Sequence, residues 1–357
     1  MNFSNSILTV NDLMVMFESP NGFIRAVDKV SFTVKAKTRL SIIGESGSGK
    51  TAMLLAICNI LNGEPGIVSG QIYYESKNLL ENLKKDVIIS QNNGKTIIRK
   101  NDYRYSKMLK KNRAILKSKI AMVFQDPRKS LDPLFTIEEQ MLEAYKLKNP
   151  NYENSRKSIY EAKQICIEWL NNIRIDNPKK VSTQYPNELS GGMLQRVMIA
   201  ISMIIEPSIL ISDEPTTALD IKTTNTIMEL VQRIYEENNL SIIFVTHDIG
   251  LAEKMSDEII VMNSGQIVEY GSTKKILGNH YNHPYTEALL KARLNPFTTN
   301  RSTPVSYLKD RSFEELYLNR GCKFRLRCSK AKKECETIDS NIQVSDDHGI
   351  FCRDIEP

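Results

Sequence analysis

The residues best suited to chemistry are Gly44-Glu45-Ser46-Gly47-Ser48-Gly49-Lys50-Thr51, which keep the spacing G-x-x-x-x-G-K-[ST]. Glycines in such a loop let backbone N–H groups curl around phosphate oxygens. Lys50 brings a mobile positive charge to the β- and γ-phosphates of a nucleotide, and the Thr51 hydroxyl offers a ligand to Mg2+. Other stretches carry groups of matching type. Ile209 to Glu214 is an apolar run ending in two carboxylates. There Asp213 can hold Mg2+, and Glu214 can position and deprotonate an attacking water. Gln125 closes the apolar run Ile120 to Phe124 and can reach Mg2+ and the same water. Leu189-Ser190-Gly191-Gly192-Met193 is a second glycine-rich turn opening a helix. It is a ready phosphate site, or simply a helix capped by Ser190. Asp220 and His247 follow, and a lone His at a strand end is most often structural. Phe17 suits an adenine-stacking platform or an ordinary core position equally.

These groups need elements to place them. Arg39 to Ile43 reads as a buried strand and Ala52 to Leu61 as a helix, which is the strand–loop–helix context the phosphate motif requires. Ile7 to Phe17 and Val30 to Val34 read as strands with a turn at Asn21-Gly22. Val87 to Ile89 and Thr96 to Ile98 flank Asn93-Gly94 and predict a β-hairpin, followed by a basic helix over Ser106 to Ser118. Ser155 to Ile173 reads as a helix burying Trp169 and Leu170. After Gly192, the residues Leu194, Val197, Met198, Ile201, Ile204 and Ile205 fall at helical spacing. Leu240 to Thr246 is nearly unbroken in apolar character, as a strand of a parallel sheet buried on both faces requires.

The chain of 357 residues is long enough for two or more units and a large core. No apolar run reaches the roughly 18–20 residues of a membrane span. The N-terminus lacks a basic stretch followed by an apolar core, so no signal peptide is read and the chain is expected to be soluble and intracellular. Its six cysteines are therefore not expected to form structural disulfides. The net charge of +6 is uneven: Lys77 to Lys119 holds 13 Lys or Arg against 3 Asp or Glu. That segment suits a solvated face, an anionic lipid or an acidic partner. Only Tyr103 and Tyr105 within it offer stacking to nucleic acid.

In order, the phosphate loop, Gln125, Leu189 to Met193, Asp213-Glu214, Asp220 and His247 resemble the nucleotide-binding subunit of an ATP-binding cassette (ABC) transporter, over about residues 7–275. The resemblance implies an α/β fold of the phosphate-loop NTPase class. It has a RecA-like core, an antiparallel β subdomain and an α-helical subdomain over about 126–205 that docks on a permease. Residues 1–280 would form the nucleotide-binding domain. It also implies ATP and Mg2+ as ligands, with Thr51, Gln125 and Asp213 toward Mg2+ and Glu214, Gln125 and His247 in catalysis. Two subunits would pack head to tail, with Ser190, Gly191 and Gly192 meeting the partner's ATP and Asp220 at the junction.

Phe124-Gln125-Asp126-Pro127, Asp213 to Asp220, His283-Pro284-Tyr285-Thr286 and Met193 narrow the resemblance to the oligopeptide, dipeptide and nickel import branch. The basic segment before Ile120 is longer than that branch usually shows. A helix from Pro284 to Arg293 and a linker over 295–310 lead to Cys322, Cys328, Cys335 and Cys352, spaced C-x5-C-x6-C-x16-C. Four clustered thiols suggest a metal site, though the close C-x2-4-C pairs usual for zinc are absent. In the branch resembled, this pattern in the 281–357 extension holds a four-iron cluster; zinc, or no metal, stays open. Lys323, Arg325, Arg327, Lys330, Lys332 and Lys333 could offset the cluster's charge. Cys58 and Cys166 read as core cysteines.

The expected activity is ATP hydrolysis driving import of peptides, or of nickel or metal chelates. The expected partners are an identical or paralogous ATPase subunit, two permease subunits and an extracytoplasmic binding protein, at the cytoplasmic face of the membrane. The alternative is a soluble cassette ATPase acting on ribosomes or DNA. Such proteins usually carry two cassettes or a long coiled coil, whereas this chain has one cassette and no sustained heptads. No nucleic-acid partner is expected.

Overall fold

The computed structural model describes residues 5–92, 95–153, 155–215, 220–278, 282–292, 321–337, 342–345 and 347–352. The chain divides into two compact units, one of Met1–Arg113 with Val245–Pro357 and one of Ala114–Phe244.

The first unit begins with β1 (Ser6–Ser19) and β2 (Gly22–Lys35), an antiparallel pair turning at Pro20-Asn21. Strand β3 (Arg39–Ile43) is buried up to the phosphate loop, and α1 (Lys50–Ile57) follows it. The helix stops short of the predicted Leu61. Asn59 adopts a left-handed conformation (φ 57°) there. Its side-chain amide donates to the Ile57 carbonyl at 3.1 Å, an ending that Asn tolerates better than most residues. Then come β4 (Pro65–Tyr74), β5 (Lys77–Asn78) and α2 (Leu83–Asp86). The antiparallel order β2-β1-β4-β5 is the expected β subdomain. The predicted hairpin is present as β6 (Val87–Asn92) and β7 (Lys95–Lys100); its Asn93-Gly94 turn lies outside the described residues. The basic helix is α3 (Asp102–Leu116), and in it Tyr105 is buried, its hydroxyl accepting from the Ile67 N–H at 2.9 Å. Tyr105 is thereby withdrawn from stacking, while Tyr103 stays exposed.

The second unit opens on β8 (Ile120–Val123), which pairs in parallel with β9 (Ile209–Asp213). Between them lie α4 (Pro127–Ser130), α5 (Ile137–Lys148), α6 (Arg156–Asn172), α7 (Pro178–Ser182) and α8 (Gly191–Ile204). The sequence closes these helices locally. Thr136 and Glu139 form a capping box at α5, and the Ser155 hydroxyl accepts from the Ser158 N–H at 3.1 Å to start α6. Leu170 is buried but Trp169 is only half-buried, because neighbouring residues on a helix face different ways. On α8 the predicted face is buried except for Ile201, which is half-buried. Ile199 and Ala200 are buried as well, since α8 packs against α5, α6, β8 and α9 (Ile221–Glu237). Strand β10 (Ser241–Thr246) runs beside β9 and is buried along its whole length.

The chain then returns to the first unit with α10 (Ile249–Met255), β11 (Glu258–Asn263), β12 (Gln266–Ser272), α11 (Thr273–Leu277) and α12 (Pro284–Ala292). Strand β11 pairs in parallel with β3. The predicted linker over 295–310 lies outside the described residues. The C-terminal segment adds β13 (Ile342–Ser345) and β14 (His348–Ile350), giving the order β13-β14-β12-β11-β3. Cys322 and Phe324 enter one hydrophobic cluster with Ile43, Ile259, Val268 and Tyr285. Burying Phe324 there contributes roughly 1.5–3 kcal/mol. Lys323 is fully buried and pairs with Asp28 of β2 at 3.2 Å. Burial lowers its pKa to about 8, against the opposing pull of Asp28. Such a pair is costly to break from one side, because the remaining charge stays buried.

Candidate active site

In the first unit, β3 delivers the phosphate loop and Lys50 is the first residue of α1. Its ammonium donates to the Gly44 and Glu45 carbonyls, both at 2.8 Å, and to the Ser48 hydroxyl at 3.4 Å. Lys50 and Ser48 are buried, whereas Ser46, Gly47 and Thr51 face solvent. Gly49 has φ 98°, and a Cβ there would lie 2.2 Å from the Ala26 carbonyl oxygen. Only glycine lets the loop approach β2 this closely. Phe17 is half-buried in β1, its ring against the Gly63 backbone. His247 is exposed just past β10.

In the second unit, β9 ends at buried Asp213. Glu214 follows with φ 47°, the left-handed region that costs a side-chain-bearing residue on the order of 1–3 kcal/mol. The turn brings its carboxylate to Gln125, whose amide donates to Glu214 Oε2 at 3.2 Å. Two residues 89 apart in sequence, both read as water-handling groups, thus meet directly.

The same unit holds the second glycine turn. The Ser190 hydroxyl accepts from the Met193 N–H at 3.3 Å and caps α8, so the capping reading holds whatever else the turn does. A Cβ on Gly192 would lie 2.7 Å from Thr223 Cγ2 of α9. Thr223 donates through its hydroxyl (2.6 Å) and N–H (2.9 Å) to the carboxylate of Asp220, the N-cap of α9. These bonds hold the Asp220 pKa below the usual carboxylate value. Gly192 and Asp220 therefore converge on one threonine. Thr216, Thr217, Ala218 and Leu219 of the intervening motif lie outside the described residues.

The thiols of Cys322, Cys328, Cys335 and Cys352 line one cavity, together with His283, Phe324, Arg325 and Lys330. Burial pushes the Cys322 thiol up to about 12, with Cys335 and Cys352 adding to the shift. Among the described residues, no three His, Cys, Asp or Glu are grouped to hold one metal ion. Of the six basic residues expected around the thiols, Arg325 and Lys330 line the cavity, while Lys323 and Arg327 are paired elsewhere. Cys58 and Cys166 stand apart: Cys166 is a buried core thiol as read, whereas Cys58 is half-buried, and desolvation pushes each thiol up to about 12.

One contact was not legible. Arg327 forms a two-toothed ion pair with Glu45 inside the phosphate loop, at 2.7 and 3.0 Å across 282 residues of chain. Loop spacing carries no signal for a partner so distant.

Residues 27–217 match the ABC transporter family, and residues 268–335 match the oligopeptide/dipeptide transporter C-terminal region. The chain is 35% identical over 334 residues to the oligopeptide transport ATP-binding protein OppD of Haemophilus influenzae, covering 93% of this chain and 92% of that one. It is 33% identical over 339 residues to the dipeptide transport ATP-binding protein DppD of Escherichia coli, covering 95% and 93%. Among solved structures, the ATP-binding cassette MJ0796 in a dimeric post-hydrolysis state with ADP and Pi aligns with TM-score 0.57 and 26% identity, covering 74% of this chain and 98% of that one.

Proposed function

Because this chain belongs to the ABC transporter family and carries the C-terminal region of its oligopeptide and dipeptide branch, we propose that it is the ATP-hydrolysing subunit that powers peptide import through a membrane permease. The observation that carries the reading is similarity to peptide-transport ATP-binding proteins along nearly the full length of both chains. Those relatives favour peptide over nickel as cargo. The C-terminal region also favours a transporter over a soluble ATPase working on ribosomes or DNA.

In this reading the phosphate loop binds ATP, Lys50 neutralises the β- and γ-phosphates, and Thr51, Gln125 and Asp213 serve Mg2+, which supplies charge neutralisation for phosphoryl transfer. Glu214 takes a proton from the attacking water, and Gln125 keeps that carboxylate oriented. His247 is assigned to the γ-phosphate end of the reaction and Phe17 to the adenine. Ser190, Gly191 and Gly192 act on the nucleotide of a second cassette, identical or paralogous, with Asp220 bracing that turn through Thr223.

Residues 1–280 form the nucleotide-binding domain, residues 281–357 the extension, and the helical stretch 126–205 docks on the membrane permease, whose two subunits complete the complex. Leu134 and Phe135 in that stretch, 79% and 50% exposed, supply apolar surface for such docking. A binding protein outside the membrane delivers the cargo. No helix among the described residues is long and apolar enough to cross a membrane, which accords with a peripheral place at the cytoplasmic face.

Reconstitution tests the assignment. The purified complex in vesicles should take up labelled oligopeptide only with ATP. Labelled Ni2+ uptake in place of peptide would overturn the cargo, and purification with ribosomes and without membrane proteins would overturn the class.

The four C-terminal thiols are assigned to one [4Fe-4S] cluster. They surround a common cavity. Cys322, Cys328, Cys335 and Cys352 would hold the cluster, and their C-x5-C-x6-C-x16-C spacing lacks the close C-x2-4-C pairs usual for zinc. Its role is structural, fixing a segment with little core of its own. Anaerobically purified protein should be brown and contain about four irons per chain. Cys328→Ser should lose the colour and loosen the segment, while Cys58→Ser should keep both. One zinc per chain in colourless protein would reassign the site, and no metal would remove the ligand role.

A further inference from the structure

Glu45 is an unspecified position of the phosphate-loop motif, yet each of its polar groups is engaged. Its N–H donates to the Tyr285 hydroxyl oxygen at 2.8 Å. Its carboxylate accepts from both terminal nitrogens of Arg327, and its carbonyl accepts from Lys50 at 2.8 Å. Two of its four partners thus come from the far end of the chain; the others are the lysine that meets phosphate and the Ser48 N–H, which donates to the same carbonyl at 3.1 Å.

The local fold explains the convergence. Residues Lys323–Leu326 form a 3-10 helix, in which positions three apart stack on one side. Phe324 and Arg327 share that side. The Phe324 ring packs 5.3 Å from the ring of Tyr285, and the Arg327 guanidinium lies 6.0 Å from Phe324. Arg327 is 11% exposed and Glu45 39%. A planar guanidinium facing a carboxylate in this way fixes direction as well as charge.

We propose that Arg327 and Tyr285 are positioning residues for the phosphate loop, acting through Glu45 to set nucleotide affinity. The inference rests on the ATPase reading above. An unpaired carboxylate one residue into a phosphate-binding loop repels the incoming polyanion. Arg327 neutralises that carboxylate, and Tyr285 fixes the peptide unit whose neighbour holds Lys50.

The test is binding of a fluorescent non-hydrolysable ATP analogue with Mg2+ to the full-length chain, alongside steady-state hydrolysis. Arg327→Ala should raise Kd and KM by roughly tenfold, more than it lowers turnover at saturating ATP, a size limited by partial solvent screening of the pair. Arg327→Lys, which keeps the charge but not the fork, should fall between. Tyr285→Phe keeps the packed ring, guards against a folding artefact, and should raise Kd by about two- to threefold. In a Glu45→Ala background, Arg327→Ala should change Kd no further, because the two residues act as one unit. Unchanged Kd in both Arg327→Ala and Tyr285→Phe would overturn the inference, as would an equal effect of Arg327→Ala with and without Glu45. A wild-type chain that binds no analogue would instead overturn the ATPase reading itself.

Discussion

Glu214→Gln is expected to bind ATP and hydrolyse it about 10²–10⁴-fold more slowly, the usual worth of a general base. The carboxylate follows a buried strand that ends in Asp213, and its backbone is held in the left-handed region at φ 47°. A residue kept in a costly conformation marks a place where direction matters more than local stability. The amide of Gln125 at 3.2 Å fixes one carboxylate oxygen. A glutamine at 214 can still accept that hydrogen bond through its own amide oxygen. The substitution therefore removes proton affinity while keeping shape. With hydrolysis blocked and binding intact, Mg-ATP should hold two cassettes in a closed dimer, visible by size-exclusion chromatography. Turnover near that of the unaltered protein would sink the assignment.

Lys50→Ala is expected to abolish hydrolysis and weaken ATP binding together. Lys50 is buried at the head of α1, with its ammonium among the Gly44 and Glu45 carbonyls. It combines a flexible stem with a compact charge, which lets it follow the β- and γ-phosphates as charge develops on them. Alanine leaves those phosphates without their nearest cation and the two carbonyls without their donor. ATPase assays at rising ATP decide the point: turnover equal to the unaltered protein at saturation would refute the role. The two substitutions also separate from each other, since the first should spare nucleotide binding and the second should not.

What the sequence made legible follows from how local each feature is. The phosphate loop, the strand ending in Asp213-Glu214 and the Ser190 cap are decided within a few residues, by glycine freedom, apolar runs and side-chain caps. The structure has them where the spacing puts them. The Gln125–Glu214 contact was half legible: both were read as water-handling groups, but their meeting depends on β8 lying beside β9. The end of α1 was misjudged because an Asn side chain outweighed the apolar residues beyond it. The helix reading over Ser155 to Ile173 buries both Trp169 and Leu170, but adjacent helix positions face different ways and only Leu170 is buried. The links of the C-terminal segment to Asp28 and Glu45 were illegible, since each joins residues hundreds of positions apart with no shared motif.

The pairing of β14 with β12, through Glu269, Tyr270 and Gly271, has a practical consequence. Strand β12 owes one flank of its backbone hydrogen bonding to residues near the very end of the chain. Cutting the gene after the cassette, at the proposed boundary of 280, would strip that flank and leave a bare sheet edge ready to recruit another molecule. Aggregation of such a fragment would then report a missing strand, with no bearing on whether the cassette can hydrolyse ATP.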